Sequence, residues 1–109
     1  MSFNRTPLGL KPEPMSGAEK AAGKRHMARV AQLGCVICGR RPVEVHHCIC
    51  GRYGMRRASD FDVIPLCVFH HREGPFSIHQ NKRLWIQTNG DDHEYLARVA
   101  DMLAGEATP

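Results

Sequence analysis

Three short segments decide the fold: Cys35-Val-Ile-Cys38-Gly39, Val43-Glu-Val45-His46-His47, and Phe61-Asp62-Val-Ile-Pro65-Leu66-Cys67-Val-Phe-His70-His71. The first and last carry two ligand pairs at the same spacing, Cys35-x-x-Cys38 and Cys67-x-x-His70. A gap of two residues lets one turn present both ligands, and thiolates suit the borderline-soft zinc ion. The four residues therefore predict a tetrahedral structural zinc site, with Gly39 allowing a sharp turn after the second thiol. Such an ion supplies about 10–16 kcal/mol of apparent binding energy, comparable to the whole stability of a small domain.

Between the two pairs, Val43–His47 alternates as a short strand does. Phe61–Leu66 reads as a second strand, and Pro65 confines it to an edge or a strand end. Cys67 opens a short helix that ends at Gly74-Pro75. Alternation along a strand sends His46 and His47 to opposite faces. On a helix His70 and His71 stand about 100° apart. Each adjacent pair can thus divide its imidazoles between two sites. His79 falls beyond the Gly-Pro break, near an expected helix start whose positive end favours a neutral imidazole or a bound anion.

Outward from this core, Ser16-Gly-Ala-Glu19 forms a capping box that starts an Ala-rich helix over about 17–33, stopped by Gly34. Ser77-Ile-His-Gln80 is a second box, opening a helix with Leu84 and Trp85 that ends at Asn89-Gly90. Asp91-Asp-His-Glu94 is a third, leading into a helix with Leu96, Val99 and Leu103 and ending at Gly105. Aromatics at helical spacing are usually core, so Trp85 is expected inside. Residues 1–15, with Pro7, Pro12 and Pro14, read as a flexible arm before one domain over 16–109. The expected class is small α+β: two antiparallel strands and a helix around a metal, with helices before and after.

The 109 residues hold five Cys and seven His, and no apolar run approaches the length a membrane helix needs. The first residues lack the apolar stretch of a signal peptide. An odd cysteine count without a signal peptide reads as metal ligation rather than a disulfide scaffold, so the expected location is the cytoplasm. Charge is uneven. Residues 1–57 carry 11 Lys/Arg against three acids (+8), and residues 58–109 carry four against eight (−4). Arginine outnumbers lysine eleven to four, and the planar guanidinium suits phosphate. A polyanion such as nucleic acid is the partner this implies. The glycine-punctuated loop Gly51-Arg52-Tyr53-Gly54-Met55-Arg56-Arg57 supplies Arg52, Tyr53, Arg56 and Arg57 as DNA-contact candidates.

Together, Cys35-Val-Ile-Cys38, Val45-His46-His47, Ala58-Ser-Asp60, Ile64-Pro-Leu-Cys67, His70-His71 and Ile78-His79 resemble an HNH endonuclease of the ββα-metal (His-Me finger) group. The likeness covers about residues 35–85 and extends to the phage and prophage recombination-enhancement nucleases that act on RecA filaments. It implies a phosphodiester hydrolase in which His47 is the general base. It also implies one divalent ion, Mg²⁺ or Mn²⁺, held by His46, His71 and His79. An ordinary imidazole pKa of about 6.5 suits proton acceptance near neutrality. The middle Asn of the family motif is absent; Asp60 or Asp62 stands in its place and would orient His47. His70 replaces a usual zinc-binding Cys, while Cys48 and Cys50 are additional thiols beside the histidine pair. The competing reading is a non-catalytic zinc-stapled DNA-binding or adaptor module, which has no need of His47, His71 or His79.

Overall fold

The computed structural model describes residues 16–50 and 59–106. The expected arm and the basic loop bearing Arg52, Tyr53, Arg56 and Arg57 lie outside the described residues. Helix α1 runs Gly17–Val30. The Ser16 side chain accepts from the Glu19 backbone N–H while Glu19 reaches back to the Ser16 N–H, closing the capping box that the sequence contains. The helix stops three residues short of the expected end. Residues 31–33 form a turn that carries Leu33 into the core.

Strands β1 (Val43–His47) and β2 (Val63–Cys67) pair antiparallel, with Val43 opposite Cys67 and His47 opposite Val63. All five residues of β2 are buried. Pro65 lacks an N–H to donate, yet its carbonyl accepts from the Val36 N–H at 2.9 Å, tying the Cys35–Cys38 turn to the strand. β2 leads into a single π-helical turn, Phe69–Glu73, where the sequence predicts a short helix. Backbone bonds from Ile78 to His70 and from His79 to His71 lay the next segment alongside that turn.

The second capping box does not start a helix. Asn81 captures the N-cap instead, its side chain accepting from the Leu84 N–H at 3.1 Å, so α2 runs Lys82–Asn89 and residues 77–80 form a turn. His79 consequently stands before the helix rather than at its first turn. The third box caps a short 3-10 turn, Asp92–Tyr95, that runs into α3 (Leu96–Glu106). α1 and α3 pack on β2. Val30, Leu33, Val63, Ile64, Leu66, Ile78, Val99 and Leu103 form the core with Trp85, which is fully buried as expected. The molecule is thus a small mixed α+β domain built on a two-stranded sheet. None of its helices is long and apolar enough to cross a membrane, among the described residues.

Candidate metal centre and active site

The tight turn after α1 and the end of β2 bring Cys35, Cys38, Cys67 and His70 together, with one ligand atom from each lying within 4.8 Å of the others. Gly39 takes a positive φ of 80°, and its N–H bonds to the Cys35 carbonyl at 2.7 Å, which folds the two thiols onto one side. A tetrahedral ion with Zn–S bonds of about 2.3 Å spaces two thiolates by about 3.8 Å. Cys38 and Cys67 Sγ are 3.8 Å apart, and His70 Nδ1 sits 3.8 Å from Cys35 Sγ and 3.3 Å from Cys67 Sγ. The donor set and its spacing are therefore compatible with zinc. Burial opposes charge on Cys35, but backbone N–H groups of Cys67, Cys38 and Ile37 hold its thiol below the ordinary value. Burial also lowers the His70 pKa, leaving a neutral imidazole as a ligand must be.

A second cluster joins His46 of β1, His71 of the π turn and His79 of the following turn. The His79 and His71 Nε2 atoms are 3.1 Å apart, and the His46 ring lies 5.1 and 5.3 Å, centroid to centroid, from those of His71 and His79. Burial lowers the pKa of both His71 and His79, and for His79 the neighbouring His71 adds to it. Two of these rings are held from behind by carboxylates. Glu44 Oε1 is 2.7 Å from His71 Nδ1, and Asp92 Oδ2 is 2.9 Å from His46 Nε2. Such a partner fixes the ring and its tautomer, leaving the opposite nitrogen as the ligand. Glu44 is itself clamped by Arg72, which with His71 lowers its pKa to about 2. Asp92 is completely buried. Burial works against its charge, but the bond to His46 and the N–H groups of Ile49 and Cys50 outweigh it and hold the carboxyl well below the usual range.

His47 lies on the opposite face of β1 from His46, as alternation requires. Its Nε2 is 2.9 Å from Asp60 Oδ1, so Asp60 is the carboxylate that orients it. Asp62 meets neither histidine in a hydrogen bond; its backbone carbonyl accepts from Cys48. Asp60 approaches α1 closely at Gly23, where a Cβ would come within 2.9 Å of the Asp60 Cβ. Cys48 and Cys50 are both buried near Asp92. Burial raises both thiols, Cys50 to about 11, so neither offers a ready thiolate.

Sequence reasoning passed over Glu44, Asp92 and Gly23. For Glu44 the signal was present, since residues i and i+2 of a strand share a face and Glu44 stands two before His46. For Asp92 it was not, because the adjacent capping box already accounts for the acidic run locally.

Donor chemistry separates the two clusters. Three imidazoles suit zinc, iron, nickel or copper better than Mg²⁺, which prefers oxygen, and Mn²⁺ is the weakest binder of the first-row series. The expected Mg²⁺ finds no oxygen ligand within the trio itself.

A family model described as a protein of unknown function (DUF968) matches residues 15–105 of the chain. No curated protein and no solved structure matches it.

Proposed function

The chain belongs to the DUF968 family of proteins of unknown function, and we propose from its site that it is a metal-dependent DNA endonuclease of the HNH type. The observation that carries this reading is the split histidine pair. His47 is oriented by Asp60, while its neighbour His46 joins His71 and His79 in a carboxylate-backed trio.

In this reading Asp60 accepts the Nε2 proton of His47, which leaves Nδ1 open to take a proton from water as it attacks phosphorus. His46, His71 and His79 would hold a divalent ion, which supplies charge stabilisation at a phosphate oxygen and at the leaving 3′ oxygen. Glu44 and Asp92 fix the rings of His71 and His46, and so would keep them set to hold that ion. Cys35, Cys38, Cys67 and His70 would bind zinc for structure alone, holding β2 and the π turn in place. Arg52, Tyr53, Arg56 and Arg57 would contact the DNA backbone, and the RecA filament remains a candidate partner through the likeness drawn above.

The test is hydrolysis of supercoiled and single-stranded DNA by the zinc-loaded chain, with Mg²⁺, Mn²⁺, Ni²⁺ or Co²⁺ added, with and without a RecA filament. Cleavage that needs an added ion supports the reading. DNA binding without cleavage in every arm would leave the non-catalytic module instead.

A further inference from the structure

Beside the Cys35–Cys38 turn lies a groove of about 320 Å³, walled by Arg40, Arg41 and Arg72 and bordered by Phe69. Its one carboxylate, Glu44, is already bound to Arg72 at 2.8 Å. Among the described residues no ion pair reaches Arg40 or Arg41, which leaves both guanidinium groups to an incoming anion there. Phe69 is 47% exposed and also lines the adjoining hollow, together with Phe76, which is 60% exposed, and Leu84. Phe69 thus stands between the cationic groove and a hollow that holds a second exposed aromatic.

We propose that this groove binds single-stranded nucleic acid, with phosphates on Arg40 and Arg41 and an unstacked base on Phe69. Cationic tracks beside exposed aromatic faces are how unpaired strands are held, because each free base offers a π-face. A duplex keeps those faces inside its stack and has nothing to place on Phe69. Charge complementarity therefore names a polyanion, and the aromatic rim names its unpaired form. The groove adjoins the histidine trio through Glu44, which lines its wall and holds His71 Nδ1 at 2.7 Å, so a strand bound there would be delivered beside the trio. That last link, delivery of the strand to the trio, rests on the endonuclease reading; the binding itself does not.

The experiment is fluorescence anisotropy of a labelled oligothymidylate and of a duplex of equal length, with the zinc-loaded full chain and no other divalent ion, over a series of salt concentrations. Wild type should prefer the single strand. Phe69→Ala should weaken single-strand binding about 5- to 100-fold and leave the duplex unaffected, the usual worth of one stacked base. Arg40→Gln combined with Arg41→Gln should flatten the salt dependence of single-strand binding by about 1.4 in slope, for two released counterions. Arg40 serves the turn through its backbone carbonyl, which accepts from the Cys35 N–H and is kept in the variant; zinc content is matched to wild type first, and Phe76→Ala gives a second aromatic probe. A duplex preference, or wild-type affinity and salt slope in all these variants, would overturn the proposal. If those variants bind normally while wild type cleaves DNA, the groove fails and the endonuclease stands. If they weaken as expected while His47→Ala hydrolyses DNA at the wild-type rate, the groove stands and the endonuclease fails.

Discussion

At the scale of single residues, two carboxylates behind the histidines hold the arrangement together. Asp92 is fully buried and takes His46, Ile49 and Cys50 as donors. Asp92→Ala leaves that imidazole and two backbone N–H groups unpaired in the core, so denaturant unfolding should show a loss of about 3–5 kcal/mol, the usual cost of breaking a buried pair. Glu44 tests the same idea by pH. Its folded pKa is lowered to about 2, chiefly by Arg72 and then by His71. A depressed carboxylate contributes stability that is fully present above its unfolded value, about 4.3, and is lost as pH falls through about 2. A wild-type thermal midpoint should therefore fall across that acid window more steeply than that of Glu44→Gln. Parallel curves would remove Glu44 from the account.

At the scale of elements, the sequence spoke clearly wherever one local rule acted alone. The capping box at Ser16, the alternation of β1 and the x-x spacing of the ligand pairs all describe contacts within a few residues, and the structure has each of them. It spoke poorly where two signals competed. Asn81 outbid Ser77 for the cap of α2, and a π turn replaced the expected short helix after β2. The choice between Asp60 and Asp62 was closed to sequence because it depends on α1 docking beside His47. Gly23 is the point of that docking. Gly23→Ala would gain up to about 1 kcal/mol of helix propensity, yet its Cβ must displace Asp60. The variant should therefore lose DNA cleavage while keeping its thermal midpoint nearly unchanged or raised. A variant as active as wild type would detach Asp60 from catalysis. The Cys35–Cys38 turn makes the opposite kind of claim. Cys35→Ser should release zinc and lower the thermal midpoint by about 10 °C or more, since each kcal/mol is worth roughly 4–8 °C in a small domain. Retained zinc with an unchanged midpoint would refute the ligand assignment.

At the scale of the whole molecule, two of the side-chain clusters that could hold a metal ion are assigned distinct work. One is sulfur-rich and joins the turn to β2; the other is all imidazole and gathers around His46, whose strand neighbour His47 is oriented by Asp60 from the other face of β1. Adjacent residues are sent to different places twice: His46 and His47 to opposite faces of β1, and His70 and His71 to the cysteine set and the imidazole trio. That division is the central claim, and one comparison tests it most directly: the rate of plasmid nicking by His47→Ala against wild type, in saturating divalent ion, with equal zinc content and equal DNA binding verified first. Loss of a positioned general base should slow cleavage by about 10²–10⁴-fold while fold and zinc stay intact. Equal rates for the two proteins would contradict the account.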